Sequence, residues 1–181
     1  MRIDLSGAFI PIIFDIGKVD IEDLVLDRAE FLDGFYLSSL TIHGQTSFIN
    51  ATFHGEVEIY NIKIQSDMVS FDGAKFKSHL NLDNSTLMHG SRFDGAEFTG
   101  DYAQFAKTHL GDVYFNGAKF DTRTTFPESR FYSIRFERAV GAVDLSRALS
   151  KKSRYSSLPK GWVLDEGSRD SEGYYTFRAV P

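Results

Sequence analysis

The 181-residue chain reads as an all-β, four-sided β-helical solenoid. Three observations predict this: the sequence aligns with itself at a shift of about 22 residues, large apolar residues recur at alternating intervals of about five and six, and seven alanines keep one place in the repeat. A helix would space apolar residues about 3.6 apart and a long strand about 2 apart. Intervals of five and six fit a chain that turns a corner after each short extended side. Four such sides return it to its starting direction after one repeat.

The repeat is a six-residue phrase that opens and closes on a large apolar residue, with a small or apolar residue in fourth place. Its clearest copies are FDGAKF from Phe71, FDGAEF from Phe93 and FNGAKF from Phe115, with related copies from Leu5, Leu26, Phe48 and Phe136. A looser series lies between them, from Ile16, Leu37, Ile59, Leu82, Phe105 and Phe126. Four inward columns follow. The first stacks Leu5, Leu26, Phe48, Phe71, Phe93, Phe115 and Phe136, and the second Ile10, Phe31, Phe53, Phe76, Phe98 and Phe120. The looser series makes the third, and Ile21, Ile42, Ile64, Leu87, Leu110 and Phe131 make the fourth. Thirteen of the 17 Phe occupy these columns, Phe14 and Phe35 stand beside them, and no charge interrupts any column. About six circuits rising ~4.8 Å each predict a rod roughly 30 Å long.

Two places before the second column stand Ala8, Ala29, Ala51, Ala74, Ala96, Ala118 and Ala139. An inward position beside stacked rings has room for a methyl group, and overfilling it is costly. Gly7, Gly73, Gly95 and Gly117 precede four of these alanines, at corners expected to need positive φ.

On the phrases FDGAKF, FDGAEF and FNGAKF the chain resembles the pentapeptide-repeat family over about residues 3 to 150. The resemblance implies a right-handed quadrilateral β-helix. The family's plainest form runs five residues per side with Asp or Asn before the central residue; here alternate sides take six, and Asp72, Asp94 and Asn116 follow the central Phe. Some members of the family are acidic dimeric rods that imitate duplex DNA and bind bacterial DNA gyrase.

The solenoid is expected over residues 1–150 and a capping segment over 151–181. The stretch DLSRALSKKSRYSS from Asp144 carries an N-cap candidate and late cations, which predicts a short helix ended by Pro159 and Gly161. Trp162, Val163, Leu164, Tyr174, Tyr175 and Phe177 are then available to close the carboxy-terminal opening. At the other end Phe9, Ile12 and Ile13 either cover the opening or form a contact surface. Single-residue bulges are expected around Gln65 to Met68 and Thr99 to Tyr102.

Charge is uneven: residues 1–100 carry 15 acids and 7 Lys or Arg, a net −8, whereas 101–181 carry 10 acids and 13 Lys or Arg, a net +3. An acidic stripe of Asp27, Asp72, Asp94 and Glu137 beside the first column is the candidate partner-binding surface; turn formation by Asp and Asn is the competing explanation. With no Cys, disulfides and thiolate chemistry are excluded. His43, His54, His79, His89 and His109 fall at unrelated repeat positions, and no phosphate loop, zinc pattern or dinucleotide fingerprint occurs, so no catalytic residue, cofactor or metal is expected. The apolar run near the start is broken by Pro11 and too short for a secretory core or a membrane span, which makes cytoplasmic the default placement. The function expected is a non-enzymatic interaction module for a protein partner, with no direct nucleic-acid or membrane binding and with a homodimer through either end; the alternative is a gyrase-binding DNA mimic.

Overall fold

A computed structural model describes the backbone of residues 1–181 and every side chain except those of Met88 and His89. Among the described residues there is no helix; short strands stack into a β-solenoid of about seven turns, one more than the circuits counted in the sequence, with a coil period of roughly 22 residues.

Each side is a ladder of parallel strands. The first begins with Arg2–Asp4, Asp23–Val25, Thr46–Ser47 and Val69–Ser70. The second begins with Phe9–Ile10, Glu30–Phe31, Thr52–Phe53, Lys75–Phe76 and Glu97–Phe98. The third runs through Phe14–Gly17, Phe35–Ser38, Val57–Tyr60, Leu80–Asp83 and Tyr102–Gln104, and the fourth opens with Asp20–Ile21, Thr41–Ile42 and Lys63–Ile64. In the upper coils single strands bend through a corner and serve two sides: Thr86–Arg92, His109–Tyr114 and Arg130–Arg135 join the fourth to the first, and Lys119–Thr125 joins the second to the third.

The four inward columns are present. Phe48 and Phe71 stack at 4.4 Å, Phe71 and Phe93 at 4.7 Å, and the second column repeats at 5.1–5.2 Å from Phe31 to Phe120. Such offset pairs contribute about 0.5–1.5 kcal/mol each beyond burial. Ala29, Ala51, Ala74, Ala96 and Ala118 are buried, while Ala8 and Ala139, on the end rungs, are half-buried. Each alanine N–H donates to the carbonyl of the first-column residue three places back. Gly7, Gly73, Gly95 and Gly117 lie between at φ of 66–70°, the geometry of a type II turn.

The opposite corner repeats the device: Lys18, Ser39, Asn61, Asn84, Lys107 and Glu128 all take positive φ two places after the third column. The inward residue that follows is Leu40 or Ile62 in lower coils but Ser85, Thr108 or Ser129 in upper ones, all buried. Bulk is partly traded within a rung. Where the third column is Leu37 its inward neighbours are Phe35 and Leu40, and where it is Phe105 they shrink to Ala103 and Thr108. The hydroxyls are satisfied by backbone: Thr108 Oγ1 donates to Leu82 O at 2.7 Å and Ser129 Oγ to Phe105 O.

Both bulges occur as expected. Ile64 pairs with Leu87 but Val69 with Ser91, so the corner at 65–68 holds one extra residue; Phe98 pairs with Phe120 but Tyr102 with Arg123, which leaves the other at 99–102.

The expected helix at 144–157 is corrected. Leu145 continues the third column and Ala148 the small-residue row, both fully buried, and Leu149–Ser150 pairs with Arg130–Phe131. Asp144, read as a helix cap, instead accepts the Ser146 N–H at 2.9 Å in a turn. The open edge of the ladder offers backbone partners and an apolar seat at once, and tertiary context overrides weak helix propensity.

The cap then reverses direction. Tyr175–Ala179 lies antiparallel on Leu149–Ser150 and on Trp162–Leu164, Phe177 tucks against Phe131 at 6.5 Å, and Trp162 Nε1 donates to Val143 O at 3.0 Å.

Candidate interaction surface

At the first corner, the acidic stripe is built into the scaffold. Asp27 Oδ1 accepts the Ile49 N–H at 2.8 Å, Asp72 Oδ1 the Asp94 N–H at 2.9 Å and Asp94 Oδ1 the Asn116 N–H at 2.8 Å. Asn116 Oδ1 accepts the Glu137 N–H at 3.0 Å. Each side chain thus bonds the backbone one coil above, rather than its own turn, and knits neighbouring coils. Arg92 bridges the outer oxygens, with Nε 2.9 Å from Asp72 and Nη2 3.0 Å from Asp94. Asp27, Asp72 and Asp94 therefore act as inter-coil acceptors, whereas the Glu137 side chain stands exposed at the top of the stripe.

The outward rows of the third side carry a different group. Backbone register aligns Asp15, Tyr36, Glu58 and Asn81, and the preceding row brings Glu56, His79 and Tyr102 beside them. Tyr36 lies flat across Gly34, where an added Cβ would sit 2.4 Å from its ring, and its hydroxyl donates to Glu56. This hydrogen bond, then desolvation and the charges of Glu56, Asp33 and Glu58, raise the phenol to about 12. His79 Nε2 lies 3.2 Å from Glu58 Oε1 and 3.4 Å from Glu56 Oε2, and its ring stacks on Tyr102 at 5.0 Å. Burial first, then Glu58 and Asp83, push the Tyr102 phenol up as well. The patch is negative, with aromatic rings held in fixed orientation. Above it, Tyr102, Arg123, Asp144 and Arg147 line a groove of about 520 Å³.

The remaining histidines are separate. His54 pairs with Glu30 at 2.8 Å on the second side, His43 meets Gln65 at 3.0 Å at a corner, and burial and Arg130 lower the His109 pKa on the fourth. The His89 side chain lies outside the described residues. Among the described residues no three His, Cys, Asp or Glu are grouped to hold a metal ion.

The third-side patch escapes a linear reading because successive members of each row lie 21 to 23 residues apart and neither row repeats a residue type; aligning outward positions at the coil period collects them. No family model, curated protein or solved structure matches the chain.

Proposed function

We propose that the chain is a non-enzymatic protein-interaction module of pentapeptide-repeat type, whose third side receives a basic segment of a partner protein. The observation that carries this reading is the fixed set of Tyr36, Glu56, Glu58, His79 and Tyr102 on one rigid ladder. Interfaces draw affinity from aromatic side chains ordered before binding, because little rotamer entropy is then lost. The surrounding carboxylates favour Lys or Arg in the partner and speed its approach. The family type is supported by the coil of about 22 residues and by one central inward residue on each of four sides.

Affinity capture with the wild-type chain and with the double variant Glu56→Lys, Glu58→Lys tests the reading. A partner held by the first and lost by the second is expected; identical captured sets count against the third side. The gyrase-binding alternative asks for an unbroken negative field. Arg92 between Asp72 and Asp94, and the net +3 of residues 101–181, work against it. Unchanged gyrase supercoiling at micromolar protein would dispose of that alternative.

A further inference from the structure

The two ends of the rod differ. The carboxy-terminal end is closed by the antiparallel strand Tyr175–Ala179, with Phe177 only 5% exposed. At the end that carries Met1, the rungs Leu5, Ile10, Phe14 and Ile16 are only half-buried, and Phe9, Ile12 and Ile13 are 61%, 68% and 55% exposed. The backbone is open there too. Leu5 N–H donates to Val25 O and Met1 O accepts from Glu22 N–H, so odd residues of Arg2–Asp4 face the second coil; the N–H and C=O of Arg2 and Asp4 face out of the end.

We infer that this end docks on the same end of a second copy, forming a two-fold dimer whose edge strands pair antiparallel. The area suits it: a perimeter of roughly 22 × 3.3 Å gives sides of ~18 Å, and about 5 Å of outward side chain at each edge makes the end ~800 Å², the share per partner of a stable interface. Charge suits it as well. Arg2 and Asp4 are exposed on either side of the inward Ile3, so antiparallel self-pairing about Ile3 sets each Arg2 beside the other copy's Asp4. The closed far end forbids head-to-tail growth through the ladder, so association through the open end stops at two copies.

Sedimentation velocity of the full chain at about 100 μM, above the micromolar limit for interfaces of this area, is expected to give twice the 20.4 kDa chain mass. Ile12→Lys with Ile13→Lys, both exposed and so dispensable to the monomer fold by circular dichroism, is expected to return the mass to 20.4 kDa. Arg2→Asp is expected to weaken the dimer and Arg2→Asp with Asp4→Arg to restore it. A wild-type monomer at that concentration overturns the inference, and so does a dimer that survives the paired isoleucine substitutions.

Discussion

Gly95 and Gly100 lie five residues apart and carry different constraints. An added Cβ at Gly95 meets nothing within 4 Å, and its φ of +67° is the only obstacle, whereas at Gly100 the Cβ would fall 1.9 Å from the Ser78 carbonyl. Gly95→Ala is expected to cost about 1–2 kcal/mol, the ordinary penalty of a left-handed L-residue. Gly100→Ala must displace backbone across two coils, so its denaturant midpoint falls further; equal losses would contradict the packing of the bulge at 99–102. Tyr36 offers a spectroscopic test. Its folded pKa lies above its unfolded value of 10.0, so the Glu56 bond stabilises the protein fully below pH 10 and is lost as pH rises through about 12. The phenolate absorbance of wild type should contain a late component that Tyr36→Phe removes. Residue-scale positions were legible where one type recurs, as with the alanines. The row running through Leu40, Ile62, Ser85, Thr108 and Ser129 was not, because the residue there changes from rung to rung between apolar and hydroxyl side chains and keeps only its inward place.

Among the structural elements, the stacked turn matters more than the strand, since many strands are only two residues long. The turns are held by acceptors that reach the coil above. Asp94→Ala leaves the Asn116 N–H without its partner and is expected to lower stability by about 1–3 kcal/mol. Asp94→Asn keeps an acceptor oxygen at Oδ1 and loses only part of the half-exposed Arg92 contact, worth at most about 1 kcal/mol. Asn116 already performs this task one coil higher. Chemical denaturation of the pair checks the ordering, and a larger loss in the Asn variant would mean that charge, not the hydrogen bond, holds the coils. The segment at 144–157 marks the limit of local reading: its helix signals are short-range, and the decisive fact is the unfilled edge above Arg130–Phe131, invisible without the stacked coils.

For the whole molecule, stability is a sum over neighbouring rungs, so the ends should loosen first. In the monomeric variant Ile12→Lys, Ile13→Lys, amide hydrogen exchange is expected to be fastest in the first coil, whose lower edge is open there, and slow from Phe31 through Phe131, whose rings are fully buried. Phe177→Ala opens the cap and should extend fast exchange into Leu149–Ser150 without reaching Phe71. The solenoid was readable from spacing alone. The candidate surface on the third side was not, because its outward side chains obey no packing rule and leave no repeated letter.

Everything proposed for the outer surface rests on the inward alanine ladder beside the Phe columns, and the thermal melt of Ala96→Leu probes it most directly. Ala96 is 0% exposed, between Phe93 and Phe98, and overpacking there is expected to cost at least about 1–3 kcal/mol and to lower the melting temperature by several degrees. The same change at the half-buried Ala139 should cost less. An Ala96→Leu melt superimposable on wild type would place that methyl group in solvent and contradict the account.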